Sequence, residues 1–273
     1  MSRTPPAHST RPAKVTRIDS RDDSTVQSLT RALQLLELLA DDDEGYRLVD
    51  IAARSGLSSS TAHRLLTTLE QRQFVQFDRE TNLWYVGVRC FSVGSAFARR
   101  RRISSIALPV MRRLRDRIGE SVNLGIADLG DIVFVTQIES REVVRAIGKP
   151  GFRAPLHTTA MGQAILAAMT EEDVLQYLRT YGLPKLTPNT IARASRLHET
   201  LAAVRQAGHA IDDEHNAIGL RCIAAAIRDE HRQPFAALSV VGPTQRIRSS
   251  DFAEIGRQVR AAADEITLAY GGR

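Results

Sequence analysis

The apolar positions of this chain are spaced helically at first, then by twos, then in alternating blocks of both kinds. Over 26–40 (VQSLTRALQLLELLA) Leu29, Ala32, Leu33, Leu36 and Leu39 recur at helical spacing, which predicts an amphipathic helix with Ser28 placed to cap it. The stretch Asp41-Asp42-Asp43-Glu44-Gly45 ends that helix in an acidic loop. Over 48–67 (LVDIAARSGLSSSTAHRLLT) a short helix carries Ile51 and Ala52 on a small apolar face. Gly56 follows, where a sharp turn needs the positive φ that glycine adopts cheaply, and Leu57 plugs the corner. Ser58, Ser59 and Ser60 offer N-cap hydroxyls to the next helix, in which Ala62, Leu65, Leu66 and Leu69 fall on one buried face. The period then drops to two. The runs 74–78 (FVQFD) and 83–86 (LWYV) flank a polar RETN turn, which predicts a β-hairpin. Three helices followed by a hairpin make a winged helix-turn-helix.

The polar face of the second helix of that motif carries Ser60, Arg64, Thr67 and Gln71, with Thr61 and His63 at its edges. Short hydroxyls and a forked cation are the side chains that reach phosphates and base edges in a major groove, and a helix-turn-helix presents its second helix there. Ser58, Ser59, Ser60, Thr61, His63, Arg64 and Thr67 are therefore the DNA-contact candidates. The competing reading is an αα-hairpin with a solvated polar face; the hairpin that follows argues against it.

After Gly87 closes the wing, Val88, Phe91, Val93 and Phe97 give 88–100 the pattern of a connecting helix that ends in the run Arg99-Arg100-Arg101-Arg102. That run either complements the helix dipole or touches phosphates. A domain boundary is expected at Ile103, giving a tail over 1–24, a DNA-binding domain over 25–87, a linker helix over 88–103 and an effector domain over 104–273. In the last, helices are expected over 105–118 (with Pro109 in its first turns), 158–168, 171–180, 197–207 and 250–270. Strands are expected over 121–128, 131–138, 143–147, 209–212, 222–228 and 235–241, with a Gly/Pro loop over 148–153. Strands joined by hairpins, with helices grouped between them, indicate an α+β fold with an antiparallel sheet.

Composition changes this picture little. The chain has 273 residues, 43% hydrophobic and 25% charged, ordinary for a globular protein. Its net charge of +6 permits nucleic-acid binding, and the excess leans toward the first 103 residues. Cys90 and Cys222 are too far apart in sequence for a disulfide framework or a metal finger, which suits a reducing cytoplasm. No apolar run approaches the roughly 20 residues of a membrane span. The Ser-, Arg-, Pro- and Thr-rich start lacks the apolar core of a secretory signal and reads as a disordered tail.

Polar groups gather between apolar runs at three places: 155–162 (PLHTTAMG), 211–222 (IDDEHNAIGLRC) and Ser239. The first ends in a helix N-terminus, whose free N–H groups suit a carboxylate. An enzyme would pair Cys222 with His157 or His215, but no motif of known mechanics surrounds the cysteine, and a lone Cys in an apolar strand is usually core. Asp212, Asp213, Glu214 and His215 could be read as a metal site, yet consecutive acids in a loop are normally solvated. No phosphate loop or dinucleotide fingerprint is present. Neither enzyme, metal nor cofactor is expected.

The stretches VQSLTRALQLLE, STAHRLLTTLEQ, IGLRCIAAAI, RDEHRQPFAALSV and EITLAYGG resemble the IclR family of bacterial transcription regulators, over about residues 24–273. Within the family they are most similar to the branch that represses the glyoxylate bypass. The resemblance implies a winged helix-turn-helix, a linker helix and a GAF-like effector domain, in dimers that can pair into tetramers on double-stranded operator DNA. It implies a repressor of glyoxylate-bypass and acetate-utilisation genes responding to glyoxylate or pyruvate; the alternative is an IclR-type regulator, even an activator, sensing a different small carboxylate. The implied pocket is Ala160, Met161, Asp212, Cys222 and Ser239, with Val143, Ala146, Ala154 and Leu220 as apolar wall. That branch has a small Gly-Ala pair where this chain has Ala160-Met161, and a second serine where this chain has Val241. The floor is bulkier and one donor is lost. Asp212 repels a carboxylate, so it either accepts from a hydrated carbonyl's hydroxyl or holds its loop in place.

Overall fold

The computed structural model describes residues 26–100, 102–142 and 149–272. The tail expected over 1–24, the strand expected over 143–147 and the wall residues Val143 and Ala146 lie outside them, as does Arg101 of the arginine run. The chain divides into two compact units, residues 1–100 and 101–273.

In the first unit α1 (Gln27–Ala40), α2 (Leu48–Ser55) and α3 (Ser59–Gln71) precede a hairpin of β1 (Val75–Asp78) and β2 (Leu83–Val86), and α4 (Val88–Arg100) follows. Gly56 terminates α2 at φ 69°, the left-handed turn that the sequence asks of it. An isolated bridge, Tyr46 with Trp84, ties the α1–α2 loop to the wing. Leu35, Leu39, Ile51, Leu66, Val75 and Trp84 form the core.

Helix α1 departs from expectation in two ways. It starts at Gln27 behind an extended Val26, without a side-chain cap, so Ser28 is inside the helix and does not cap it. Its buried residues are Leu35 and Leu39, whereas Leu29 and Leu33 are 58% and 50% exposed. The helix carries two apolar stripes, and α2, α3 and β2 cover only the one that includes Leu35.

The second unit is built on a six-stranded antiparallel sheet in the order β5-β4-β3-β8-β7-β6. The strands are β3 (Ser121–Asp128), β4 (Asp131–Ile138), β5 (Arg153–Pro155), β6 (Ala210–Asp213), β7 (Leu220–Arg228) and β8 (Pro234–Pro243). Helices α5 (Ile103–Ile118) and α9 (Phe252–Tyr270) cover one face; α6 (Ala160–Ala168) and α8 (Ala194–Ala207) lie against the other, and α7 (Glu171–Tyr181) packs in the same layer. Side chains alternate accordingly. Val122, Leu124, Ile126, Ile223, Ala225, Ile227, Leu238 and Val240 face α5 and α9. The α6 side takes Cys222, Ala224, Ala226 and Ala237. These small residues let α6 approach closely, and a Cβ on Gly125 would lie 3.1 Å from the Met161 sulfur.

Several ends move. Helix α5 starts at Ile103, with Pro109 in its second turn, and α8 starts at Ala194. A 3-10 turn, Leu156–Thr158, replaces the first residues of the helix expected at 158. Strand β5 stands at the end of the predicted loop, where pairing with β4 supplies a bonding partner that local sequence does not announce.

Candidate DNA-reading and effector sites

Helix α3 begins at an N-cap that the sequence dictates. Ser58 is extended, and its hydroxyl accepts the Thr61 N–H at 3.2 Å while bonding the Ser60 and Thr61 hydroxyls at 3.1 and 2.8 Å. Ala62 and Leu66 are buried, which turns Ser59, Ser60, His63 and Arg64 to solvent and leaves Thr61 and Thr67 half-buried. Every DNA-contact candidate thus lies between the Ser58 cap and Thr67, in the amino-terminal part of α3. The His63 ring meets Trp84 edge-on at 6.4 Å. Arg47, His63, Thr67, Phe77, Asn82 and Trp84 border a groove of about 540 Å³ between helix and wing.

In the second unit the sheet register sets out the effector candidates in rows. Asp212 pairs with Cys222, Cys222 with Val241, and Val241 with Ser121, side by side across four strands. The next row is Ala224, Ser239 and Asn123. Helix α6 lies over β6, β7 and β8 with Ala160 and Met161 in its first turn. Thr159 caps it, its hydroxyl accepting the Gly162 N–H at 3.0 Å, which leaves the first two N–H groups without an intrahelical acceptor. Leu220 lies on the Cys222 face, two residues nearer the sheet end, where it pairs with Pro243. Ala154 is apart: it pairs with Ile132 and through it with Ala127, six residues along β3 from Ser121. Ala154 packs in the same apolar cluster as Ala160, Met161 and Cys222, further along the sheet from Asp212.

Asp212 is 3% exposed. Its Oδ1 accepts the N–H groups of His215 at 2.6 Å and Asn216 at 3.3 Å, so it holds its loop in place. Burial lifts its carboxyl to about 7, against those two donors, which favour the ionised form. The same loop is fastened from outside. The Thr187 hydroxyl donates to the Glu214 carbonyl at 2.7 Å, the Thr190 hydroxyl to the His215 carbonyl at 2.6 Å, and the Thr158 hydroxyl to Asn216 Oδ1 at 3.3 Å. Glu214 sits at φ 63°, a conformation uncommon for a non-glycine residue.

Two family models account for most of the chain: the IclR helix-turn-helix domain over residues 28–79 and the bacterial transcriptional regulator IclR C-terminal domain over residues 95–268. The chain is 42% identical over 249 residues to the transcriptional repressor IclR of Escherichia coli K12 and equally to the acetate operon repressor of Salmonella typhimurium, covering 90% of this chain and 91% of either relative. The chain belongs to the IclR family. Among solved structures it is similar to an IclR homologue complexed with 4-hydroxybenzoate from Microbacterium hydrocarbonoxydans (TM-score 0.74, 26% identity, 89% of this chain and 99% of that one). It is a transcriptional repressor of the IclR type, with the helix-turn-helix and mixed α/β C-terminal unit of that family, and the matched proteins are regulators rather than enzymes.

The residues that an enzyme reading would pair, Cys222, His157 and His215, are held in packing and hydrogen bonds. Burial and the Asp212 charge push the Cys222 thiol well above its ordinary value, away from the reactive thiolate. His157, fully buried, has Nδ1 on the Tyr177 hydroxyl at 2.9 Å and Nε2 on the Pro184 carbonyl at 3.0 Å, so neither ring nitrogen is open to act as a base. His215 Nδ1 stands 3.1 Å from Gln163 Nε2, which also donates to the His157 carbonyl at 3.0 Å. Among the described residues no three His, Cys, Asp or Glu side chains converge where a metal ion could be held. Sequence reading missed Gln163, Tyr177, Thr187 and Thr190 as parts of this site. One signal was present: Gln163 is the lone polar side chain in the otherwise apolar helix AMGQAILAA.

Proposed function

We propose that this IclR-family repressor reads a two-fold operator with the amino end of α3 and releases it in response to a small 2-oxo acid, glyoxylate or pyruvate, bound beneath the amino end of α6. Its target genes, on this reading, are those of the glyoxylate bypass and acetate use, the role suggested by the name of the acetate operon repressor. The observation that carries the reading is the pair of capped helix starts. One is exposed and lined by Ser59, Ser60, His63 and Arg64; the other is enclosed with Asp212, Cys222 and Ser239 on the sheet below. Phosphates and base edges suit the first, and a carboxylate suits the second.

A dimer supplies the two-fold reading head. Val88, Phe91, Val93 and Phe97 of α4 are 68, 77, 54 and 49% exposed, and the Leu29–Leu33 stripe of α1 is similarly bare. Contact between copies through these stripes buries them. Light scattering at micromolar concentration with operator present checks this; a monomer refutes it.

A second reading keeps the DNA module and changes the effector. Met161 and Val241 narrow the site and remove a hydroxyl, and an IclR homologue holds 4-hydroxybenzoate. Calorimetry with glyoxylate and pyruvate on the wild type and on Ser239→Ala, with gel shift on the DNA upstream of the gene, separates the readings. Binding of either acid that weakens in the variant and lowers operator affinity supports the first. Silence toward both acids, cured by Met161→Ala with Val241→Ser, supports the second.

A further inference from the structure

Resting on the reading of this site as a receptor for a small 2-oxo acid, we propose that the anion is taken up together with one proton, which Asp212 holds. The geometry makes the coupling. Asp212 is buried in β6, one strand from Cys222 and under the same helix whose first turn offers N–H groups to a carboxylate. A ligand carboxylate there adds a second negative charge to a poorly solvated space, and two such charges cannot both persist cheaply. Oδ1 takes both backbone N–H bonds of the loop, so a proton from solvent can settle on Oδ2 without breaking either. The protonated group then donates a hydrogen bond where the ionised one repels.

The neighbouring charges do not relieve the problem. On its own strand and loop, Asp213 is committed to Arg221 at 2.6 Å, and Glu214 accepts the Gly219 N–H at 2.7 Å. Strand β7 contributes Cys222, whose thiol is pushed up and stays neutral. The buried face of α6 carries no titratable residue, and Gln163 approaches from it. From α8 comes Arg196, paired with Glu199 at 2.9 Å on the surface. His215 lies 3.9 Å from Asp212 Oδ1, but burial holds its imidazole below the ordinary value and its Nδ1 faces the Gln163 amide. Asp212 already sits at about 7, raised chiefly by burial and further by the Asp213 and Glu214 charges, so the extra anion acts on a group poised to take a proton.

The test is calorimetry of glyoxylate and pyruvate at about pH 8 in two buffers with different ionisation enthalpies. Proton uptake of about one per ligand is expected as a buffer-dependent heat, with affinity falling up to about tenfold per pH unit above neutrality. Asp212→Asn should bind with a heat independent of buffer and an affinity flat with pH. A carboxylic-acid C=O stretch should appear in the wild-type infrared difference spectrum on ligand addition, a readout that stands even if the variant does not fold. Wild-type binding with no buffer dependence overturns the inference while leaving the receptor reading intact. Buffer dependence that survives in Asp212→Asn also overturns it, by moving the proton to another group. No heat with either acid in any buffer rejects the receptor reading itself, and the inference with it.

Discussion

Helices α3 and α6 begin in the same way and end in opposite environments. Each has a hydroxyl cap accepting an N–H three residues on, Ser58 from Thr61 and Thr159 from Gly162. Along α3 only Ala62 and Leu66 are buried; along α6 every residue from Ala160 to Ala167 is. A helix start attracts anions in either case. Exposure decides the size of the anion: an open start with hydroxyls and Arg64 beside it suits a polymer of phosphates, and an enclosed one admits a few atoms. The two units share one capping device at two depths, which on the proposed reading serves two sizes of anion.

The comparison breaks hardest at Gly162. A Cβ there would stand 2.1 Å from the Leu156 carbonyl oxygen, and the next nearest atoms, the Leu156 Cα and carbonyl carbon, are backbone too, so no flexible side chain can yield. Gly162→Ala should destabilise the C-terminal unit by about 3 kcal/mol or more. Calorimetric unfolding should show one transition lowered while that of the helix-turn-helix unit stays in place; an unchanged profile would mean that α6 is not fixed against the 3-10 turn.

The next effect is a pH dependence confined to the enclosed site. The folded Asp212 carboxyl is raised from 3.8 to about 7 by burial. A raised acid favours the folded state fully below its unfolded value, and that contribution is lost as pH rises through the folded one. The C-terminal unit of the wild type should therefore lose stability relative to Asp212→Asn between about pH 4 and pH 7, by on the order of 4 kcal/mol, and hold a constant deficit above. Urea titrations across that range check the sign; a difference that grows toward acid would contradict it.

At the open helix, Arg64→Ala should weaken operator binding by about 1–3 kcal/mol with little change in folding. A fluorescence titration that finds unchanged affinity would remove α3 as the reader. The smallest effect should be Ser58→Ala, about 1 kcal/mol off the stability of the first unit. Thermal melting of this variant set against Thr159→Ala tests whether the two caps are equivalent; a clearly larger loss at Thr159 would show that enclosure adds to its worth.

Much of the open region was legible because its signals are local. Gly56, the serines after it and the spacing of Ala62, Leu65, Leu66 and Leu69 needed no partner to be read. The apolar face of α1 was less legible, since both Leu29–Leu33 and Leu35–Leu39 fit helical spacing and only tertiary packing chooses between them. Strand β5 is three residues, Arg-Ala-Pro, and becomes a strand by pairing with β4. The enclosed site was placed through family resemblance rather than spacing. Its members come together by register across β6, β7 and β8, and its polar supports, Tyr177, Thr187 and Thr190, lie 20 to 28 residues from the groups they hold. Separations of that size carry no period for a sequence reader to find.

The loop after β6 is fastened at Asp212, Thr187, Thr190 and Asn216, and it keeps Glu214 in a conformation that an unrestrained chain would leave. On the proposed reading of this site as a receptor, its ordering is done when the chain folds. An incoming molecule of a few atoms, with few contacts to offer, meets a rigid mould and loses little of its binding free energy to settling the walls.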